Sequence, residues 1–210
     1  MTVARSVIYL EEVATGAAVE AELRDAIEEA QLADWQTKWQ PALLAVLQEL
    51  IRKGVSPASW PQSWHWDWRR KAAGVQGLLA FRGFAVVAQG ETQGLAQVNL
   101  TGVAREQSQA GKPLVYLDYV EVAPWNRPEL GSRPRLRGIG TALVAAAAML
   151  SDDEGFKGRI GLHSLPQADD FYRRRCGMSD LGPDAAYQGL RYFEMTPTQA
   201  RAFLAEEDGR

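Results

Sequence analysis

The chain has 210 residues, 46% of them hydrophobic, with a net charge of -3 at neutral pH and a single cysteine. That length buries a substantial core and somewhat exceeds the roughly 150 residues of a typical domain. The charge argues against a general nucleic-acid binder, which is as a rule strongly basic, and no apolar run approaches the roughly 20 residues of a membrane span.

The N-terminus lacks the basic, apolar, small-residue order of a secretory leader, and one cysteine makes no internal disulfide, so a reducing cytoplasm is the default location. Ser6 to Leu10 reads as a short first strand. Residues 17–33 read as an acidic helix, with Val19, Leu23 and Ile27 at roughly helical spacing. A second helix covers 41–52, opened by Pro41, lined by Leu43, Leu44, Val46, Leu47, Leu50 and Ile51, and stopped by Gly54. Residues 56–68 hold Trp60, Trp64, Trp66 and Trp68. If that stretch is extended, the last three share one face, either a packed lid or one wall of a binding or partner surface.

Beyond Gly74 the pattern turns to β structure. Leu78 to Ala88 and Gly94 to Leu100 flank a hairpin at Gln89-Gly90-Glu91-Thr92, and 102–113 is a polar loop. Leu114 to Val122 is rich in β-branched and aromatic residues and stops before Pro124. A strand, a glycine turn and a helix start follow over 135–143. Arg159 to Ser164 is another strand, Ala168 to Tyr172 opens a helix behind Pro166, Tyr187 to Met195 closes the sheet, and Thr198 to Glu207 is a terminal helix. There is no internal repeat.

The glycine turn carries the chemistry. Arg135-Leu136-Arg137-Gly138-Ile139-Gly140-Thr141 places two glycines at the start of a helix, where backbone N–H groups lack intrahelical acceptors and the helix dipole favours an anion. A dinucleotide motif would need a third glycine where Leu143 stands, and no Gly-Lys-Ser/Thr follows as in a P-loop. The order Arg135-x-x-Gly138-x-Gly140 resembles the pyrophosphate-binding motif of the GCN5-related N-acetyltransferase (GNAT) superfamily. Val122-Ala123-Pro124 is similar to the end of that family's central strand. Ala168-x-x-x-Tyr172 is similar to its second signature. The resemblance covers roughly residues 76–195.

Two departures stand out. The loop 128–134 adds residues between Arg127, the family's usual phosphate-loop arginine, and Arg135. After Tyr172 there is one residue more than usual before Gly177, with Met178 in place of an aromatic residue. Leu165 replaces a common asparagine, which leaves Ser164 for the pantetheine contact.

The resemblance implies an α/β (α+β) GNAT fold over 1–210, with a mixed sheet of about six to seven strands flanked by helices. Its fourth and fifth strands splay to hold acetyl-CoA. Residues 1–75 form the helical and tryptophan-rich acceptor side, 76–195 the sheet core and 196–210 a C-terminal helix; the first helices could instead be an appendage or a homodimer surface. Implied cofactor contacts are Val122, Arg135, Leu136, Arg137, Gly138, Ile139, Gly140, Thr141, Ser164 and Ala168.

The implied reaction is direct attack of a primary amine on the thioester. A backbone N–H beside Val122 serves the oxyanion, and Tyr172 protonates the thiolate. Asp118 is favoured over Glu121 as proton acceptor, with Tyr116 and Tyr119 as fallback groups. The acceptor stays open among small molecules, peptides or proteins and aminoacyl-tRNA. A non-catalytic acyl-CoA sensor or partner-binding protein is the alternative reading. Cys176 with His163 as an acyl-transferring pair is a weaker one, and two distant histidines give no metal-ligand spacing.

Overall fold

Two alternating stretches open the fold in the computed structural model, which describes residues 3–131 and 133–208; Ser132 of the long loop lies outside them. Arg5–Glu12 (β1) and Ala18–Arg24 (β2) pair antiparallel from Arg5 opposite Arg24 to Glu11 opposite Ala18. The second strand takes the place of most of the helix expected over 17–33. Val19 and Leu23 are four residues apart, a spacing that satisfies both a helix and a strand. The alternation of Val19, Ala21 and Leu23 with Glu20, Glu22 and Arg24 is the period that decides, and it buries Ala21.

Helix starts only at Glu29–Asp34 (α1), where Glu28 and Gln31 form a reciprocal capping box. It continues through a π-helical turn, Trp35–Trp39, into Gln40–Arg52 (α2), and ends before Gly54 at φ +68°. The expected extended aromatic face over 64–68 does not form. Asp67 caps a new helix, Trp68–Val75 (α3), so Trp68 turns inward and is fully buried, whereas Trp64 stays 46% exposed and meets Trp60 edge-on.

Phe81–Ala88 (β3) and Glu91–Val103 (β4) form the expected hairpin, with Gln89 and Gly90 both at positive φ as a two-residue turn requires. Pro113–Val122 (β5), Leu136–Arg137 (β6), Ile139–Asp153 (α4), Ile160–Ser164 (β7), Ser179–Asp184 (β8), Leu190–Met195 (β9) and Pro197–Asp208 (α5) complete the chain. The mixed sheet has nine strands in the order β6-β1-β2-β3-β4-β5-β7-β9-β8. The excess over the expected count comes from β2 and from β8, whose Gly182 and Pro183 disguise a strand that is irregular between Asp180 and Pro183.

The chain divides into two compact units. The first comprises Met1–Leu78, Gly83–Leu95 and Val120–Ala142. Its interior holds Leu10, Trp35, Trp39, Trp68, Val86 and Leu95. Trp39 Nε1 donates to the Thr92 carbonyl at 3.0 Å, and the Asp34 carboxylate accepts from the Thr92 amide and hydroxyl at 2.9 Å each, which ties the helical segment to the β3–β4 hairpin.

The second unit comprises Leu79–Arg82, Ala96–Tyr119 and Leu143–Arg210, with Leu114, Leu143, Ile160, Leu162, Phe193 and Met195 inside. Glu194, fully buried, accepts from the amides of Arg105 and Glu106 and from Gln109 Nε2, and so closes the β4–β5 connection. β5 and β7 run parallel, pairing Val115 with Ile160, Tyr116 with Gly161 and Leu117 with Leu162. Among the described residues that ladder stops there, although both strands continue.

Candidate active site

In the first unit the glycine turn is built from the inside outward. Gln93 Oε1 accepts from Trp125 Nε1 at 3.0 Å and Asn126 Nδ2 at 2.8 Å. This fixes Asn126, whose Oδ1 in turn accepts the amides of Arg135 and Leu136 at 3.0 and 2.9 Å. Leu136 and Arg137 pair with Glu12 and Glu11 of β1, and Leu136 is buried. Gly138 then turns at φ +97°, a conformation a side chain would strain. The first bond of α4 runs from the Ala142 amide to the Gly138 carbonyl at 2.8 Å.

The amides of Gly138, Ile139, Gly140 and Thr141 therefore occupy the four positions that have no intrahelical acceptor. The amides of Arg135 and Leu136, by contrast, are engaged by the protein itself. Gln93 and Asn126 were not among the sequence candidates, because a lone Gln and a lone Asn form no motif; only the fold brings them to the turn.

The arginines near the turn divide into two kinds. Arg135 is exposed, with its guanidinium 5.2 Å above the Trp125 ring, and Arg137 is exposed beside Glu11 at 3.5 Å. Arg133 Nη2 donates to the Val13 carbonyl. Arg127 is buried, so it does not stand where an external phosphate could use it. Its Nε meets Glu129 at 2.7 Å, and its Nη1 meets Ser63 Oγ at 3.1 Å and Glu121 at 3.4 Å.

Glu121 is correspondingly enclosed. Trp68 Nε1 donates to its Oε2 at 2.6 Å, and the residue is only 7% exposed. Burial raises its pKa, against the opposing pull of Arg127, Trp68 and Ser63. Val122, the last residue of β5, leads into Ala123, whose amide donates to the Gln93 carbonyl at 2.9 Å.

In the second unit Asp118 sits on the opposite face of β5 from Glu121, as strand alternation requires. Both its oxygens accept from Asn99 Nδ2, at 3.0 and 2.9 Å. Tyr172 lies in a π-helical turn, Phe171–Arg175, closed by the Cys176 amide on the Phe171 carbonyl at 3.1 Å. The widened i→i+5 turn accommodates the additional residue before Gly177 without displacing Tyr172 from the interior.

The Tyr172 ring lies 5.1 Å from that of Phe171 and 5.9 Å from that of Phe193. Burial, and secondarily Cys176, raises its pKa, and among the described residues its hydroxyl has no hydrogen-bond partner. Ser164 is buried at the end of β7, its Oγ donating to the Leu165 carbonyl at 2.9 Å. Ala168 closes a short 3-10 turn through its amide on the same carbonyl at 2.8 Å.

The three arginines after Tyr172 are engaged by carboxylates of the protein. Arg173 pairs with Asp170 at 2.9 Å and Asp180 at 2.6 Å, Arg174 with Asp170 at 3.6 Å, and Arg175 with Glu206 at 3.9 Å and also with Glu207. Cys176 is buried, which pushes its thiol up to about 12 and keeps it protonated at neutral pH. His163 contacts Tyr116 and Asp184 instead, which removes the Cys–His pairing.

No family model matches the chain. No curated protein matches it either. Among solved structures, RimJ from Mycobacterium smegmatis in complex with CoA disulfide is 18% identical over 97% of this chain and 94% of its own, with a TM-score of 0.52. A protein described only as a candidate acetyltransferase is 14% identical over 90% of this chain and 93% of its own, with a TM-score of 0.53. At identities this low the agreement is one of backbone, and it gives the chain the fold of the GCN5-related N-acetyltransferases.

Proposed function

We propose that the chain is an acetyl-CoA-dependent N-acetyltransferase that moves an acetyl group to a primary amine by direct attack. The observation that carries this reading is the start of α4. Four amides without intrahelical acceptors begin at a glycine at positive φ, with the exposed cations Arg135 and Arg137 beside them. That donor set fits a diphosphate, since helix N-termini and planar guanidinium groups both match phosphate oxygens. The RimJ structure, which shares the fold, holds a CoA species.

When bound, acetyl-CoA supplies an activated acyl carbon. The amides of Gly138 to Thr141 hold its diphosphate, with Arg135 and Arg137 adding charge. Asp118 draws an ammonium group toward its face of β5. The Tyr172 hydroxyl, which has no partner among the described residues, protonates the departing sulfur. A phenol, with a reference pKa of about 10, stays protonated at neutral pH and still hydrogen-bonds developing thiolate charge. Action in the cytoplasm is consistent with this reading.

The test is calorimetric titration of CoA into the wild-type protein and Gly140→Val. The wild type binds CoA, and the variant, with a branched side chain at the anion site, does not. Equal affinity in the two proteins overturns the assignment.

A further inference from the structure

The second unit contains a polar chain that this account of acetyl transfer leaves unused. Tyr116 precedes Asp118 by two residues on the same face of β5. Its partner on β7 is Gly161, and there a Cβ would stand 2.5 Å from the Tyr192 hydroxyl. Beside that close contact, Tyr116 Oη lies 2.5 Å from His163 Nδ1, and His163 Nε2 lies 3.0 Å from Asp184 Oδ2.

The imidazole is held on every side. Its side chain is 3% exposed, stacked on Tyr187 at 3.7 Å and 10°, and 4.9 Å from the Tyr192 ring. Arg105 bonds the same Asp184 oxygen at 2.5 Å and lies 4.4 Å over the Tyr192 ring. Asp184, Arg105 and Tyr192 line a cleft of about 430 Å³.

The protonation pattern follows from these contacts. Arg105, and after it His163, hold the Asp184 carboxyl down at about 2, so at neutral pH it only accepts. His163 Nε2 therefore carries its hydrogen toward Asp184, and Nδ1 is left to accept from the Tyr116 hydroxyl. Burial lowers the His163 pKa below its ordinary value, despite Asp184, so the imidazole is a neutral base near pH 7.

We propose that Tyr116, His163 and Asp184 form a proton relay for the acceptor amine. As the nitrogen bonds to the acetyl carbon, the proton it loses passes to Tyr116 Oη, the N–H electron pair staying on nitrogen. In the same step the phenolic proton of Tyr116 passes to His163 Nδ1, leaving an imidazolium against the Asp184 carboxylate. The C–S electron pair leaves on sulfur, which takes its proton from Tyr172. His163 later loses its extra proton toward the cleft, and Tyr172 takes one back from solvent, so both return to their starting states.

Within the relay Tyr116 is the catalytic residue, while His163 and Asp184 act through it. The relay takes the place of Asp118 as the base and leaves Asp118, whose oxygens accept from Asn99 Nδ2, to draw the amine to this face. It rests on the acetyl-transfer reading.

The groups against His163 are Tyr116 from β5, Arg105 from the β4–β5 connection, Asp184 from β8, Tyr187 from the β8–β9 connection and Tyr192 from β9; Asp118 acts in turn on Tyr116, and Glu194 on Tyr192. Histidine alone among these side-chain types has an ordinary pKa between about pH 5 and 8.

The test is thiol release from acetyl-CoA between pH 5 and 9, with spermidine, kanamycin and a serine-initiated tripeptide as probe amines. In the wild type, kcat rises with pH through a midpoint below the ordinary histidine value. Tyr116→Phe keeps the ring but lowers kcat on the order of 10²-fold, removes that limb, and leaves CoA affinity unchanged by calorimetry. His163→Gln behaves alike, and the double variant is no worse than Tyr116→Phe alone. A Tyr116→Phe enzyme with the wild-type rate and limb overturns the relay alone. No thiol release by CoA-bound wild type with any probe overturns acetyl transfer itself, and the relay with it.

Discussion

Glu121 and Asp118 stand three residues apart on one strand and illustrate opposite uses of a carboxylate. Glu121, in the first unit, is enclosed by a guanidinium, an indole N–H and a hydroxyl drawn from three segments. Asp118, in the second, is half-buried and accepts from the neutral Asn99 amide of the neighbouring strand. The difference lies in what a proton would disturb. Protonating Glu121 strips a buried ion pair of its charge, whereas the second unit keeps its polar face in groups that can exchange protons without loosening the core. The first arrangement is a strut; the second can take part in chemistry.

Arg127→Met breaks the comparison most severely. Both partners are at most 8% exposed, so removing one leaves an uncompensated buried carboxylate. Breaking such a pair costs about 3–5 kcal/mol. For a chain of this size that is roughly 6–20 °C in melting temperature. Thermal unfolding checks this, and pairing Arg127→Met with Glu121→Leu recovers most of the loss. A shift of about 2 °C or less means the pair is not a strut.

Tyr172→Phe sharpens the contrast from the other side. Its hydroxyl bonds to nothing else in the described protein, so the variant keeps its melting temperature and its CoA affinity while kcat falls roughly 10²–10⁴-fold. A thiol-release assay beside a melt separates the two effects, and loss of stability with kcat intact assigns Tyr172 to packing.

Asp180 gives a smaller, pH-dependent effect. Burial would raise its carboxyl, but hydrogen bonds from Arg191, Arg173 and the Gly182 amide prevail and hold it at about 2, below the ordinary value of 3.8. A carboxyl depressed on folding stabilises above its unfolded pKa, and that contribution is lost as pH falls from 3.8 toward 2. Melting temperatures across that window fall steeply in the wild type and less steeply in Asp180→Asn; identical slopes refute the linkage. Arg174→Ala is the smallest change. That side chain is 78% exposed and its ion pair with Asp170 is long, so stability moves by less than about 0.5 kcal/mol. CoA affinity is likewise unchanged.

What was legible in the sequence was local. The glycine turn is contiguous, and its positive-φ glycine and helix start follow from residues 135–143 alone. The hairpin at Gln89-Gly90 and the end of β5 at Pro124 are equally short-range. Between Ala18 and Arg24 the reading failed because Val19 and Leu23 fit two periods at once. The tryptophan stretch failed because Asp67 nucleates a helix that turns Trp68 inward. Arg127 stands where the family's phosphate-loop arginine usually comes, and its burial depends on Ser63 and Glu121 meeting it in three dimensions. The relay was beyond reach, since Tyr116 and His163 are 47 residues apart and His163 and Asp184 a further 21, with no shared motif.

The stacking of Arg135 on Trp125 has an optical consequence. An indole is sensitive to the charge over its ring, and this one is held in place by its N–H bond to Gln93. A phosphate that draws the guanidinium aside changes the emission of Trp125. The chain thus carries its own fluorophore beside the glycine turn, and occupancy there can be followed without a label.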